Sequence, residues 1–197
     1  RVKEWRSQNY PCATRTTLDL LHHWNSEDRE QRLFFAQCEA VETIIFLTES
    51  RPDFRQGIRI PLDTPLDPQL KAFIRYACKM ATGSGKTTVM AMVAAWSILN
   101  KVNNRNDTRF SDVVLVVCPN ITIKGRLQEL NPCNGEASLY RTRDLVPSHL
   151  MDRLRQGKVI VTNWHIFERR SPSTAGEDSA KVIKTGVKTI STELIKI

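Results

Sequence analysis

The stretch that decides the fold of this chain is residues 80–88, Met-Ala-Thr-Gly-Ser-Gly-Lys-Thr-Thr. Its two glycines, Gly83 and Gly85, can adopt backbone angles that are closed to other residues, so that successive N–H groups curl around a phosphate. A helix that starts here adds unpaired N–H groups and the positive end of its dipole. The stretch therefore predicts a phosphate-binding loop, in which Lys86 contacts the β- and γ-phosphates of a nucleotide and the Thr87 hydroxyl binds Mg²⁺.

The sequence on both sides of the loop supports this interpretation. Residues 73–80, Phe-Ile-Arg-Tyr-Ala-Cys-Lys-Met, predict a buried strand, and the run from Thr87 to about Lys101 predicts a helix that is buried on nearly every face. The alternative is a glycine-rich turn that merely links strand to helix, and it does not explain why Lys and Thr follow in register. The candidate nucleotide-binding residues of the loop, with Lys86 and Thr87 also candidate catalytic residues, are Ala81, Thr82, Gly83, Ser84, Gly85, Lys86, Thr87 and Thr88.

Strand and helix patterns alternate through the rest of the chain. Continuous apolar, β-branched runs predict strands at 113–118 and 158–162. Apolar periodicity predicts four further helices, at residues 17–24, 31–50 (with a helix start at Ser26–Arg29), 122–130 and 147–156. This order indicates an α/β fold with a parallel sheet, which binds ligands at the carboxyl ends of its strands. The phosphate loop, Pro119-Asn120 and Thr162-Asn163 all follow predicted strands.

The composition is that of a globular protein with a basic surface. The 197 residues are 41% hydrophobic and 25% charged, with a net charge of +8 and a pI near 9.5. That charge suits a polyanionic partner such as nucleic acid, or simply a solvated basic surface. The apolar runs are too short or too interrupted to cross a bilayer, so no membrane association is expected. Five cysteines without a C-x-x-C pair, with Cys78 and Cys118 in apolar strands, favour reduced, buried thiols and a cytoplasmic location.

Several stretches together make the chain similar to a known family. The loop fits the helicase variant Ala-x-x-Gly-x-Gly-Lys-Thr from Ala81 onward, whereas the strict form has Gly at the position of Met80. The chain resembles the N-terminal part of a superfamily 2 helicase of the DEAD/DEAH type, in particular the motor of type III restriction enzyme Res-like subunits. The stretches that carry the resemblance, within residues 5–170, are 34–43, 75–80, 110–112, 117–120, 143–147 and 161–165.

The resemblance implies a RecA-like P-loop NTPase domain that uses ATP and Mg²⁺. In such a domain Gln37 would read the adenine edge, because an amide can pair bidentately with adenine, and Phe34 or Phe35 would pack on the base. The alternative for Gln37 is an exposed glutamine on an amphipathic helix. Its sequence distance from Lys86, across a Pro-rich connector, is greater than in the compact DEAD-box arrangement.

The resemblance also implies residues that hold the phosphates of a nucleic acid strand. Backbone N–H groups, hydroxyls and cations at the ends of the later strands would make these contacts. The alternative is that these positions are strand-end turns and helix caps. The candidate nucleic-acid-binding residues are Pro119, Asn120, Thr122, Lys124, Arg126, Thr162 and Asn163.

Part of the motor that the resemblance implies is not found in this sequence. An apolar strand ending in Asp-Glu is expected after the strand at 158–162, but Glu177-Asp178 lies in a polar stretch without such a strand. We therefore expect a fragment that binds nucleotide weakly and does not hydrolyse it alone, with a second RecA-like domain or companion subunits elsewhere. Its expected segments are an N-terminal helical extension (1–50), a Pro-rich connector (51–72), a partial first RecA-like domain (73–170) and a polar basic extension (171–197).

Three classes of function remain open at this stage. The resemblance favours a DNA-dependent ATPase that translocates on duplex DNA within a restriction or phage-defence complex. A P-loop enzyme of another kind, such as a kinase, would need an acceptor-binding lid and a catalytic carboxylate. A non-catalytic nucleic-acid-binding scaffold would keep the phosphate loop only as a structural remnant.

Overall fold

The computed structural model describes residues 1–60, 62–63, 73–119 and 121–167. Within these ranges the chain forms seven α-helices and four strands, joined by turns and short 3₁₀ segments. The helices are α1 (Val2–Ser7), α2 (Arg15–Asn25), α3 (Phe35–Glu49), α4 (Lys86–Asn103), α5 (Ile121–Arg126), α6 (Leu139–Thr142) and α7 (Met151–Leu154). The strands are β1 (Leu62–Asp63), β2 (Phe73–Ile74), β3 (Val113–Cys118) and β4 (Lys158–Asn163).

Helix α4 is the element on which the rest of the fold packs. Helices α2, α3 and α7 and strand β3 all contact it. Most of its apolar residues are buried, and Met92, Ile98 and Leu99 are fully so, although Met90 is exposed. The predicted helix is confirmed. A helix that is apolar on nearly every face is stable in water only when other elements surround it.

Strands β3 and β4 form the parallel pair that the sequence predicts. Val113 pairs with Lys158 at one end and Cys118 pairs with Asn163 at the other, without a bulge. Ser97 in the second half of α4 accepts a hydrogen bond from the Ser111 N–H (3.0 Å), just before β3 begins. The second half of α4 therefore lies near the amino ends of the strands. The first half, with the phosphate loop before it, extends away from those ends.

The N-terminal helices are fixed to α4 by a buried polar cluster around Glu49, the last residue of α3. One oxygen of Glu49 accepts hydrogen bonds from Thr17 Oγ1 (2.7 Å) and Trp96 Nε1 (2.6 Å), and the other accepts from the Thr14 N–H (2.7 Å). The Asn100 amide also donates to Thr17 Oγ1 at 3.0 Å. Since Glu49 is 4% exposed, these donors offset the cost of removing its carboxylate from water.

The prediction of a buried strand at 73–80 is wrong. Only Phe73 and Ile74 are in a strand, which pairs antiparallel with β1 instead of joining the parallel pair, and they are 57% and 54% exposed. Residues 75–80 have no regular structure. A central parallel strand is buried on both faces, and the charges of Arg75 and Lys79 do not suit that environment, whereas the run at 113–118 carries no charge. Cys78 is accordingly exposed, while Cys118 is buried as predicted.

The other predicted helices are confirmed with different bounds. Helix α2 extends the predicted 17–24, and α5 continues as a 3₁₀ turn to Leu130. The predicted helix at 147–156 is divided between a 3₁₀ turn and the four-residue α7. No helix within the described ranges combines the length and the apolar character that crossing a bilayer requires.

The predicted helix start at Ser26–Arg29 is wrong, because α3 begins at Phe35. Ser26 ends α2, and Arg29 is drawn into a tertiary contact. Its guanidinium, 3% exposed, donates hydrogen bonds to the carbonyls of Arg143 (2.8 Å) and Asp144 (2.7 Å). These bonds hold the chain between α2 and α3 out of helical geometry, and burial lowers the pKa of Arg29.

Candidate functional site

The phosphate loop, residues 80–88, has the backbone geometry that the sequence predicts. Gly83 and Gly85 lie in the left-handed region at φ +79° and +81°, which favours glycine because it has no Cβ. The Lys86 ammonium and the Ser84 hydroxyl each donate a hydrogen bond to the Ala81 carbonyl at 2.7 Å. Lys86 is thereby held across the mouth of the loop.

The amino end of α4 offers its backbone N–H groups to a ligand. Gly85 is the residue before the helix, and no side chain among the described residues caps it. The first N–H groups of a helix have no partner within the helix and carry the positive end of its dipole. Together with the Lys86 ammonium, they form a donor set that suits the negatively charged oxygens of a polyphosphate.

The structure brings Gln37 to the phosphate loop, although 48 positions separate it from Gly85 in the sequence. A Cβ atom built on Gly85 would lie 2.0 Å from Gln37 Nε2, so the amide packs directly on the glycine. Gln37 Oε1 accepts a hydrogen bond from the Phe34 N–H at 2.8 Å, as the third residue of a helix does in half of a capping box. Gln37 is 5% exposed, which excludes the alternative of an exposed glutamine.

The predicted nucleotide-binding residues differ in their access to solvent. Ala81, Thr82, Gly83 and Lys86 are exposed, whereas Ser84, Gly85 and Thr87 are half-buried. Thr88 is 9% exposed. The two candidates for packing on a base, Phe34 and Phe35, are 61% and 74% exposed at the start of α3, within four residues of Gln37.

The loop suits a Mg²⁺ ion that is bound together with the phosphates of a nucleotide. Within the described ranges, no group of three or more His, Cys, Asp or Glu residues is placed to hold a metal ion. The half-buried Thr87 hydroxyl is the donor that the loop itself provides. Mg²⁺ often binds through phosphate oxygens, water and one or two protein oxygens, so this donor set is compatible with a nucleotide-bound ion.

The second group of predicted residues forms what we call the strand-end edge, at the carboxyl ends of β3 and β4. Its described members are Pro119, Thr122, Lys124, Arg126, Thr162 and Asn163, and Asn120 lies outside the described residues. Because Cys118 pairs with Asn163, the two segments are brought side by side, and α5 packs against β4. Pro119, Thr122 and Arg126 are exposed and Lys124 is half-buried.

Asn163 has a structural contact at this edge. It is 8% exposed, and its Oδ1 accepts a hydrogen bond from the His165 N–H at 3.1 Å. This is the cap expected of a strand-end turn. The turn presents Trp164 to solvent at 42% exposure.

Two features of the site were missed by the sequence analysis. Nothing in the sequence around Glu49 distinguishes it from a solvated acid at a helix end. Trp96, ten residues into an apolar helix, requires a partner for its N–H. The contact between Gln37 and Gly85 had a signal in the sequence, because glycine is required where another group approaches the backbone closely. That signal does not identify the approaching group.

The pKa shifts in the N-terminal helices arise from burial and from close charges. Burial raises the pKa of the Cys38 thiol, next to Gln37, which keeps it protonated. Burial and the carboxylate of Glu42 raise the pKa of Tyr10. Burial opposes the charge of Arg6, but hydrogen bonds to Glu39 and Glu42, both 2.6 Å, raise its pKa. The ion pairs of Arg6 with Glu39 and Glu42 fix α1 to α3.

Comparison with known proteins identifies one family. The family model described as type III restriction enzyme, res subunit, matches residues 30–185, which is more than half of the chain. This range includes Gln37, the phosphate loop and the strand-end edge. No curated protein and no solved structure matches the chain.

Proposed function

This chain belongs to the family of type III restriction enzyme Res subunits, and on that premise we propose that it is the ATP-binding part of a DNA-dependent helicase or translocase of a restriction or phage-defence system. The family is one of superfamily 2 helicases with a P-loop NTPase domain, so the chain is an ATP-dependent, helicase-like module. One observation carries the finer proposal. The Lys86 ammonium lies at the mouth of a loop with two left-handed glycines, at the start of a helix that no described side chain caps.

In this proposal each part of the loop has a role toward ATP. The N–H groups at the start of α4 and the Lys86 ammonium bind the β- and γ-phosphates. The Thr87 hydroxyl would hold Mg²⁺, which neutralises charge on the phosphate oxygens when bound. Gln37, whose Oε1 already accepts a hydrogen bond from the Phe34 N–H, would donate an amide hydrogen to the adenine edge, and Phe35 would pack on the base. Loop residues 81–85 and Thr88 form the part of the site that surrounds the phosphates.

The nucleic acid partner in the proposal is DNA bound at the strand-end edge. Lys124 and Arg126 are close in α5, and cations there would bind backbone phosphates without reading sequence. The net charge of +8 supports a polyanionic partner. Hydrolysis and translocation would require an acidic motif and a second RecA-like domain or companion subunit. We also propose the division of the chain into segments that is given above, with a partial RecA-like domain at 73–170.

The experiment that tests this function is ATP binding and hydrolysis by the 197-residue chain, with and without duplex DNA. Lys86→Ala is compared with Lys79→Ala, which removes an exposed lysine seven positions upstream. We expect Mg²⁺-dependent ATP binding that Lys86→Ala weakens at least 100-fold, since a buried or phosphate-bound charge contact and its hydrogen bonds contribute several kcal/mol. Lys79→Ala should bind as the wild type does.

Each other outcome points to one of the alternative functions. Equal weakening by both lysine variants would mean that charge alone attracts ATP, and absence of binding in the wild type would favour a scaffold with a remnant loop. ATP use that DNA does not change, in the full-length protein, would favour a P-loop enzyme of another kind.

A further inference from the structure

The inference starts from an exposed aromatic pair at the strand-end edge. Trp164 and His165 follow β4 directly, and their ring centroids are 4.3 Å apart with an interplanar angle of 34°. Trp164 is 42% exposed. The three other tryptophans of the chain, Trp5, Trp24 and Trp96, are 0%, 2% and 5% exposed, and each donates its indole N–H to a protein oxygen. Trp164 is therefore the tryptophan whose ring is open to solvent.

The position of this pair is fixed by the sheet. Asn163 is the last paired residue of β4, opposite Cys118, and its side chain accepts the hydrogen bond from His165 N–H that shapes the turn. Trp164 is the next residue after this pair. Its ring thus projects from a short 3₁₀ turn (Trp164–Phe167) anchored to the sheet.

Cationic side chains lie on the neighbouring element. Helix α5 contacts β4 and carries Lys124 and Arg126. Within the part of the chain that the structure describes, neither side chain forms an ion pair with a carboxylate. Cations beside an exposed aromatic ring are the combination by which proteins hold a single nucleic acid strand, with phosphates on the cations and a base stacked on the ring.

We propose that Trp164, packed against His165, is a platform for an unpaired nucleobase of the strand whose phosphates bind Lys124 and Arg126. The inference rests on the proposed function and deepens it. In a duplex both faces of each base are covered by its neighbours, so a ring can stack only on a base that has left the stack. The strand-end edge therefore takes a locally single-stranded segment, even when the substrate as a whole is duplex DNA.

The apolar neighbours Ile166 and Phe167, 37% and 46% exposed, favour one competing occupant, a protein surface. A protein contact would use the whole apolar patch and would not depend on bases. A nucleobase would use the flat indole ring and leave the phosphate contacts unchanged. This difference decides the design of the test.

The test measures binding of the 197-residue chain to oligothymidylate and to an abasic oligonucleotide of the same length, which has the same phosphates without bases. Trp164→Ala should weaken oligothymidylate binding about tenfold, in line with the loss of one base–aromatic stacking contact, and leave abasic binding unchanged. Trp164→Phe should retain most of the affinity. Lys124→Ala with Arg126→Ala should weaken binding to both oligonucleotides and reduce the salt dependence.

Intrinsic tryptophan fluorescence provides a second readout. Because Trp164 is the exposed tryptophan, oligothymidylate should quench the intrinsic emission of the wild type and protect it from acrylamide, and abasic DNA should do neither. Trp164→Phe removes this signal and serves as the control. Its fold can be checked by the emission of the three buried tryptophans.

Two results would overturn the inference. Equal loss of affinity for both oligonucleotides in Trp164→Ala, or a lower unfolding midpoint with unchanged oligonucleotide binding, would make Trp164 a structural or protein-contact residue. If Lys124→Ala with Arg126→Ala still weakens binding in that case, the proposed function stands without this platform. If the wild type binds neither oligonucleotide nor duplex DNA, the nucleic acid part of the proposed function itself fails.

Discussion

The phosphate loop and the strand-end edge are built in two different ways. The loop consists of contiguous residues, 80–88, whose geometry follows from two glycines and the start of a helix. The strand-end edge joins Pro119 and residues 122–126 to Thr162 and Asn163, and these segments meet because β3 and β4 pair in one register. The loop keeps its shape although no strand of the parallel pair leads into it. The edge would not exist without that pair. The geometry of a contiguous site therefore follows from its own residues, whereas the geometry of an assembled site depends on the strand pairing.

The largest expected effect comes from Gly85→Ala. It would force a left-handed φ on alanine and place a methyl group 2.0 Å from Gln37 Nε2. The strain costs about 1–3 kcal/mol. Displaced loop N–H groups lose charge-assisted hydrogen bonds of about 1.5–3 kcal/mol each, so ATP affinity should fall about 100-fold or more. Isothermal titration with ATP measures this.

Gly83→Ala is the matched control for Gly85→Ala. Its φ of +79° is nearly the same, but a Cβ there would meet nothing within 4 Å. The difference between the two variants therefore isolates the contact with Gln37. If the losses of ATP affinity in Gly85→Ala and Gln37→Ala simply add in the double variant, the contact with Gln37 is not the cause of the loss in Gly85→Ala.

The next effect in size concerns the buried polar cluster around Glu49, which fixes the N-terminal helices to α4. Glu49→Gln replaces one carboxylate oxygen by an NH₂ group, which accepts no hydrogen bond. The remaining oxygen can serve either the Thr14 N–H or the Thr17 and Trp96 donors, but not both. An unsatisfied buried donor costs about 1–3 kcal/mol, so the free energy of unfolding should fall by ~2 kcal/mol. Urea unfolding followed by tryptophan emission measures it.

Glu30→Gln, at an exposed position, is the control for Glu49→Gln and should change stability by less than about 0.5 kcal/mol. Both binding sites should weaken together in Glu49→Gln near its unfolding midpoint and behave normally well below it. Loss of ATP binding in fully folded Glu49→Gln would show that the cluster acts on the loop directly and not through stability.

The smallest effect is expected from Gln37→Glu. A glutamate keeps the oxygen that accepts from Phe34 N–H, so the cap of α3 and the fold should survive. The second oxygen would place a negative charge where Nε2 now faces Gly85, and repulsion of a nearby phosphate should lower ATP affinity about tenfold. Gln37→Ala should instead lower stability by ~1 kcal/mol through loss of the cap. Strand-end binding of oligothymidylate should not change in either variant.

The sequence analysis succeeded where the decisive pattern was local and strong. The uncharged run at 113–118 is β3 with the predicted bounds, and the helix after the phosphate loop is α4. The strand predicted at 73–80 is wrong, because it was predicted from the position of this segment just before the phosphate loop, although Arg75 and Lys79 do not suit a buried strand. The sequence analysis also placed a helix start at Ser26, because the sequence does not show that Arg29 is bound to carbonyls more than 100 residues away.

The sequence by itself determined the phosphate loop, the helix that follows it and the parallel strand pair. Glycine angles, helix starts and apolar runs act over a few residues, so their consequences can be derived without the fold. Only the tertiary structure decided that Gln37 lies on Gly85, that Glu49 joins three helices, and that α5, which carries Lys124 and Arg126, packs against the strand that ends before the exposed Trp164. These contacts join residues that are distant along the chain, and their energies depend on burial and on partners that no short stretch of sequence specifies.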